Sequence, residues 1–155
     1  MCPQQAEPVL LAALAAWALA LAVDDIRHRR VLNWALAPVA MLALAARASG
    51  GWAGCELSLV NGLIGALLGL LLWLPGYGLK QCGAGDVKCA MVMGLVLGAS
   101  RSLEANLLGF LLLGLMSVVV LATGRRGHRI PAVPALSLAF VIELIGGPWL
   151  LLRGI

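Results

Sequence analysis

Hydrophobic residues fill six long runs along the chain, and short polar stretches separate these runs. A helix needs about 20 apolar residues to cross a membrane, with a usual range of about 17 to 25, and each run comes close to that length. The predicted helices cover residues 8–23, 33–46, 57–74, 87–99, 103–123 and 131–152. The second and fourth are short and need flanking residues to reach across. The pattern predicts an all-α polytopic membrane protein, a bundle of about six transmembrane helices.

The composition favours a membrane protein over a soluble one. The chain of 155 residues is 62% hydrophobic and only 12% charged, which leaves too little polar surface to cover a soluble globule. Its net charge of +4 is low for a nucleic-acid-binding protein, so we expect membrane lipid and no nucleic acid around it. Because the loops are too short to fold alone, residues 1–155 are expected to form a single transmembrane domain. The first run lacks a preceding basic segment, which favours a retained helix over a cleaved signal.

Lysine and arginine are distributed unequally between the two sets of loops. Eight lie in the loops after the first, third and fifth runs: Arg27, Arg29, Arg30, Lys80, Lys88, Arg125, Arg126 and Arg129. The other loops and the C-terminus hold only Arg47, Arg101 and Arg153. By the positive-inside rule, the side with eight charges is predicted to be cytoplasmic and both termini extracytoplasmic.

The cysteines and glycines have ordinary structural explanations. Cys2, Cys55, Cys82 and Cys89 form no CxxC pair and have no histidine at metal-ligand spacing. We therefore expect neither a metal site nor a disulfide framework, and no cofactor is indicated. Glycines recur at three- and four-residue spacing in the third and fourth runs, which is typical of helices that pack closely in lipid.

The three aspartates lie at the ends of apolar runs, on the side that carries the excess positive charge. Asp24 and Asp25 end the first run, and Asp86 lies at the entrance to the fourth, after Gly83 and Gly85. Because glycine lacks a Cβ, this stretch can take unusual backbone dihedrals or approach another molecule closely. Either the acids solvate their loops and pair with neighbouring arginines, or each place contributes one acid to a shared site.

A pair of carboxyl groups drawn from the two places would support hydrolysis of a peptide bond. Two carboxylates held close in a partly dehydrated site cannot both ionise cheaply, so they share one proton. The ionised group then acts as a base on water, while its protonated partner donates to the peptide carbonyl oxygen. A Ser-His-Asp site competes poorly, because His28 and His128 lie in basic loops where a solvated role is expected.

Two motifs resemble those of the type IV prepilin peptidases, which are GxGD membrane aspartyl proteases. Residues 25–34, DIRHRRVLNW, are similar to the D-x-R-x-x-x-I-P-N-W stretch of that family, and residues 83–88, GAGDVK, to its GxGDxK motif. Residues 130–134, IPAVP, resemble the proline-containing start of the family's last helix. The resemblance implies a membrane-embedded aspartyl endopeptidase at the cytoplasmic face of the bacterial inner membrane, which cleaves the leader peptide of a prepilin or pseudopilin substrate.

The resemblance also implies roles for individual residues. Asp25 and Asp86 would be the catalytic pair, whereas Asp24 has no counterpart in the motif, and position in the motif alone favours Asp25 over it. The supporting residues would be Gly83, Gly85, Lys88 and Asn33.

The chain departs from the family pattern in two places. Leu32 stands where the family usually has proline, which would loosen the turn into the second helix. The larger, bifunctional members carry an N-terminal cytoplasmic insertion with paired CxxC motifs, which this chain lacks, so no methyltransferase activity is expected. The chain resembles the short, peptidase-only members associated with Flp or Tad-type pili.

Two other interpretations stay open. One is a non-enzymatic polytopic membrane protein, such as a small transporter or a pilus or secretion assembly subunit, whose acids bind an ion or a partner. The other is a family member that binds prepilins without cutting them. Glu143, deep in the sixth run, is a further candidate because an ionisable group inside a membrane is costly and often functional. A hydrogen bond to a neighbouring helix would explain Glu143 equally well.

Overall fold

The structure, a computed structural model, describes residues 8–28, 33–49, 58–80, 82–123 and 132–146, and within them the regular structure is helical throughout. The helices are α1 (Pro8–His28), α2 (Asn33–Ala48), α3 (Leu59–Gly78), α4 (Ala84–Leu97), α5 (Ala99–Ala122) and α6 (Val133–Gly146). The chain is therefore an all-helical polytopic membrane protein, as the sequence pattern predicts. Several residues named above lie outside the described ranges: Cys2, Arg29, Arg30, Leu32, Cys55, Arg125, Arg126, His128, Arg129, Pro131 and Arg153.

The helices do not end where the apolar runs end. Helix α1 continues past Val23 to His28, so Asp24, Asp25 and His28 belong to its last turns rather than to a following loop. Helix α4 begins at Ala84 and ends at Leu97, earlier at both ends than predicted. Polar residues have lower helix propensity than alanine but do not break a helix. Hydropathy therefore marks the limit of the apolar region and not the limit of the backbone hydrogen bonds.

Three of the described helices, α1, α3 and α5, are long and apolar enough to cross a membrane by themselves. Helices α2 and α6 are apolar but have only 16 and 14 residues. Helix α4 also has 14 residues, which gives a length of about 21 Å at 1.5 Å per residue. The hydrocarbon core is about 30 Å thick, so α4 is shorter than this core. The part of the sixth predicted run after Gly146 lies outside the described residues.

Helix α4 is the centre of the bundle. It packs against α2, α3, α5 and α6, and most of its residues after Asp86 are buried. Helix α1 packs mainly against α6. A helix enclosed by other helices faces protein rather than lipid, so α4 can be shorter than the membrane is thick.

Glycines bring α3 and α4 into direct backbone contact. A Cβ on Gly65 would overlap the carbonyl oxygen of Gly94, and a Cβ on Gly69 would overlap that of Ala90. Small residues at such positions allow the close approach on which helix packing in lipid depends. As the position on α3 advances from Gly65 to Gly69, the contacted position on α4 moves back from Gly94 to Ala90. The two helices therefore run antiparallel.

Polar side chains fix the register of α3 against α5. The hydroxyl of Ser102 donates to the Gly65 carbonyl oxygen at 2.9 Å. Further along both helices, Trp73 Nε1 donates to Asn106 Oδ1 at 2.7 Å, and the Trp73 ring stacks on Phe110 with ring centroids 4.9 Å apart. Both contacts advance in the same direction, so α3 and α5 are parallel.

The junction of α4 and α5 is a single residue, Gly98, with φ of 83°. This left-handed conformation favours glycine because it lacks a Cβ. The N–H of Ala99 is accepted by Asn61 Oδ1 at 2.9 Å, and Arg47 donates from Nη2 to the carbonyl oxygen of Val96 at 2.9 Å. These side chains satisfy backbone groups that helix ends leave open, and they explain why Arg47 is buried.

Trp17 fixes α1 against its neighbours. Its Nε1 donates to the carbonyl oxygen of Ala35 on α2 at 2.8 Å. Its ring meets Phe140 of α6 edge to face, with centroids 6.2 Å apart. Helix α1 is therefore held in place on two sides, and the acids in its last turns are held with it.

The contact between α3 and α4 gives the first prediction. Gly65→Ala adds a methyl group where the Gly94 carbonyl oxygen lies, so the helices must separate. We expect a loss of about 1–3 kcal/mol in the free energy of unfolding, seen as a Tm several degrees lower in detergent.

Gly114→Ala is the matched control, because nothing lies within 4 Å of a Cβ built there. Alanine favours helix over glycine, so its Tm should be unchanged or slightly higher. Equal Tm values for the two variants would contradict the close packing of α3 and α4.

Candidate active site

Asp25 lies on the inner face of α1. The buried residues of this helix are Leu14, Ala18, Leu21, Ala22 and Asp25, a three- and four-residue spacing that marks one face of a helix. Asp25 is only 6% exposed. The apolar stripe of α1 therefore carries a carboxyl group into the bundle at its last turn.

Asp24 occupies a different face. Its Oδ1 lies 2.8 Å from Nδ1 of His28, one turn further along the same helix, and the His28 side chain is largely exposed. His28 was predicted to be a loop residue, but it belongs to the last turn of α1. The Asp24 carboxylate therefore has a partner on the surface of its own helix, whereas Asp25 is buried in the bundle.

Asp86 lies in the first turn of α4. Its Oδ2 accepts the backbone N–H of Gly83 at 2.8 Å, which caps the start of the helix. The negative charge also interacts favourably with the N-terminal end of the helix dipole. Asp86 thus has a structural role that uses one carboxylate oxygen.

The prediction of unusual backbone dihedrals at Gly83 and Gly85 is wrong. Gly83 has φ of −80° and ψ of 156°, an ordinary extended conformation. Within the described ranges Gly98 is the glycine with positive φ, so Gly85 does not have it either. The left-handed residue near the motif is Lys80, with φ of 57°, and its N–H donates to the Tyr77 carbonyl oxygen at 2.9 Å.

Cys89 lies within electrostatic range of both candidate acids, Asp25 and Asp86. This thiol is fully buried and lies one turn beyond Asp86 on α4. From the sequence, Cys89 has only an ordinary structural explanation, because nothing in the neighbouring sequence indicates which residues of α1 lie near it.

A hydrogen bond joins the two motifs directly. Lys88 Nζ donates to Asn33 Oδ1 at 3.1 Å, so the start of α2 is linked to the first turns of α4. Both residues were predicted to support the site, and the structure brings them into contact. The bond holds the chain that follows Asp25 near the helix that carries Asp86.

The second cysteine near the motif is a weak nucleophile. Burial, together with the negative charge of Asp86, raises the pKa of the Cys82 thiol. A thiol reacts as the thiolate, so Cys82 is poorly suited to nucleophilic catalysis. Cys82 and Cys89 are both free thiols.

Glu143 is far from the aspartates along the bundle. It lies near the C-terminal end of α6 and is buried, whereas Asp86 lies at the N-terminal end of α4. These two helices run in the same direction, because both are antiparallel to their neighbours α5 and α3. Glu143 therefore belongs to the opposite end of the bundle from Asp25 and Asp86.

The described residues hold no group of three or more histidine, cysteine, aspartate or glutamate side chains that could bind a metal ion. This end of the bundle carries the buried carboxyl group of Asp25, the helix-capping carboxyl group of Asp86 and a hydrogen bond between Lys88 and Asn33. Two carboxyl groups that interact can hold a proton and transfer it.

Comparison with known proteins identifies a family for this chain. The model of the type IV leader peptidase family matches residues 12–122, a range that contains Asp25, Asn33, Asp86 and Lys88. No curated protein and no solved structure matches the chain. The family match covers most of the chain, including both motifs. The chain therefore belongs to the type IV leader peptidase family, a family of peptidases.

Proposed function

We propose that the protein is an aspartyl endopeptidase that removes the leader peptide of type IV prepilin or pseudopilin substrates. The observation that carries this proposal is the approach of Asp25 and Asp86 to one buried thiol, Cys89. The two acids are 61 positions apart in a peptidase-family chain. Both carboxyl groups lie within electrostatic range of the same thiol, which supports a site in which two carboxyl groups share the acid–base hydrolysis of a peptide bond.

The reaction follows from the pairing of the carboxyl groups. At working pH the pair holds one proton, since two adjacent charges in a protein interior repel strongly. The ionised member removes a proton from water, which attacks the peptide carbonyl carbon. The protonated member donates to the carbonyl oxygen, and the tetrahedral intermediate then expels the amine after a proton reaches its nitrogen.

The existing hydrogen bonds suggest how the pair is oriented. The bond from the Gly83 N–H holds Oδ2 of Asp86, which restricts rotation of that carboxylate. Asp25 is held by the burial of its helix face. A site held by rigid helices and supporting hydrogen bonds loses less free energy on ordering its groups for reaction.

Charge supports a cytoplasmic active site in the bacterial inner membrane. Arg27, Lys80 and Lys88 lie at the aspartate end, whereas Arg47 and Arg101 lie at the other. Arg47 is also engaged by the Val96 carbonyl oxygen, so it contributes little to membrane orientation. The positive-inside rule then assigns the aspartate end to the cytoplasm and the termini to the other side.

The substrate class comes from the resemblance of the two motifs to those of the prepilin peptidases. A substrate of this class carries an apolar helix beside its leader, and such a helix can lie in lipid next to the bundle while the leader reaches the aspartate end.

Isosteric replacement of the aspartates tests the reaction. Asp25→Asn and Asp86→Asn should each lower the rate of leader cleavage by about 10²–10⁴-fold, the usual contribution of a general acid or base. The measurement is cleavage of a pilin precursor that has a glycine before its apolar segment, with purified enzyme in detergent. An asparagine at position 86 can still accept the Gly83 N–H, so the cap is kept while the titratable group is lost.

Asp24→Asn is the matched control, because Asp24 is the adjacent acid but contacts His28 on the surface. Its cleavage rate should stay within about threefold of the wild-type rate. Normal cleavage by Asp86→Asn would show that this residue only caps α4 and would overturn the proposed mechanism. It would favour a non-enzymatic binding role or a family member that binds prepilins without cutting them.

The pH dependence of cleavage tests the shared proton. We expect kcat/KM to fall on both sides of an optimum. On the acid side both carboxyl groups bind protons and the base is lost, whereas on the alkaline side both ionise and the acid is lost. A rate that rises to a plateau at high pH would exclude proton donation by this pair.

The bond between the motifs gives a further prediction. Lys88→Met and Asn33→Leu both remove the contact from Nζ to Oδ1 and should lower kcat/KM by about two- to tenfold, as expected for one partly exposed hydrogen bond. Because the two residues act through the same bond, the double variant should be no slower than the slower single variant. Multiplied effects would show that the residues act independently.

A further inference from the structure

The two helices that carry the candidate acids do not pack closely on each other. Among the described helices, α1, with Asp25 in its last turns, packs mainly on α6, whereas α4, with Asp86 in its first turn, packs on α2, α3, α5 and α6. The position of one carboxyl group relative to the other therefore depends on elements that contact both helices. Two such elements are α6 and the start of α2.

The start of α2 accepts a hydrogen bond from each of the two helices. Trp17 of α1 donates from Nε1 to the carbonyl oxygen of Ala35 at 2.8 Å. Lys88 of α4 donates from Nζ to Oδ1 of Asn33 at 3.1 Å. Asn33 and Ala35 both belong to the first turn of α2. This turn, residues 33–37, is called the α2 clamp below, because it joins α1 to α4.

Pro38 weakens the connection between the α2 clamp and the rest of α2. It lies inside the helix, and proline has no N–H, so the backbone bond that residue 38 would donate to the Trp34 carbonyl oxygen is missing. Proline is also a usual cause of a bend in a helix. The position of the clamp therefore depends more on its two side-chain bonds than the first turn of an uninterrupted helix would.

The bonds of the α2 clamp and the packing of α6 constrain α1 in different ways. Phe140 of α6 meets the Trp17 ring edge to face, and the other buried residues on the inner face of α1 before Asp25 are apolar. Apolar burial is not directional, whereas a hydrogen bond requires a short distance and a narrow range of angles. The bond from Trp17 thus fixes the level of α1 along the bundle more sharply than the apolar contact does.

We propose that Trp17 is a positioning residue of the peptidase reaction, which holds Asp25 at the level of Asp86 through the α2 clamp. Asp25 follows Trp17 by eight residues, about 12 Å along a helix, so Trp17 acts through α1 and not on the reacting atoms. Small displacements of catalytic groups lower reaction rates strongly. The role in the reaction rests on the proposed function, whereas the link between α1 and α4 does not.

Trp17→Phe tests the role because it removes the N–H donor and keeps an aromatic ring beside Phe140. We expect kcat for leader cleavage to fall by about three- to tenfold while KM stays within about twofold, since the lost interaction orders the acids and does not bind substrate. Asn33→Leu releases the same clamp from its other side. The double variant should therefore be no slower than the slower single variant.

Trp73→Phe is the matched control. It is the same substitution and also removes a bond from Nε1, here to Asn106 Oδ1 at 2.7 Å, which joins α3 to α5. Because Trp73 is fully buried and Trp17 only half-buried, the control should lower Tm at least as much as Trp17→Phe. Its kcat should nevertheless stay within about twofold of the wild-type value.

A distance measurement tests the link between α1 and α4 without using activity. Spin labels on Ile26→Cys in α1 and Met91→Cys in α4 occupy exposed positions, in full-length protein in detergent in which every cysteine except the buried Cys89 is replaced by alanine. Pulsed electron paramagnetic resonance should give a broader or shifted distance distribution for Trp17→Phe than for the parent protein. Trp73→Phe should leave the distribution unchanged.

Three results would overturn the inference. One is an unchanged distance distribution in Trp17→Phe. Another is a fall in kcat that is equal in Trp17→Phe and Trp73→Phe, which would mean that lost stability causes the effect. The third is a double variant in which the effects of Trp17→Phe and Asn33→Leu multiply. A wild-type protein that cleaves no precursor would instead contradict the proposed function, and the distance measurement would still decide whether Trp17 links α1 to α4.

Discussion

The backbone contact of α3 with α4 at Gly65 and Gly94 is the constraint on which the rest of the structure depends. Helix α4 is too short to cross a membrane and carries polar residues in its first turn, so it needs other helices around it. Glycines let α3 approach until backbone meets backbone. The remaining helices can then close around α4, and its first turn, which carries Asp86, lies at the same end of the bundle as Asp25.

Polar groups inside the bundle are concentrated at its two ends, and each end uses them differently. At the junction of α4 and α5, Arg47 and Asn61 satisfy backbone groups, so their role is architectural. At the aspartate end the same kind of bond, from the Gly83 N–H to Asp86, both caps a helix and orients a carboxylate. Burying a polar group costs free energy. The carboxylate of Asp86 offsets part of this cost because it caps α4 as well as belonging to the candidate site.

The glycines of the GAGD stretch require an explanation other than backbone conformation. Gly83 is extended, and a Cβ there would lie 3.5 Å from Asp86 Oδ2, an ordinary contact. A Cβ could therefore be accommodated at this position. The property that remains special to glycine is the absence of a side chain, which leaves the space beside Asp86 open.

The sequence by itself determined the fold class and which end of the bundle carries the three aspartates, because the membrane imposes long apolar helices and alternating topology puts the acids of the first and fourth segments at one end. The three- and four-residue spacing from Leu14 to Asp25 also indicates which of the two adjacent acids is buried. Only the tertiary structure decided that α4 is central and that α1 packs on α6. Those facts depend on contacts between helices far apart in sequence, and local periodicity shows which face of a helix is buried but not which helix covers it.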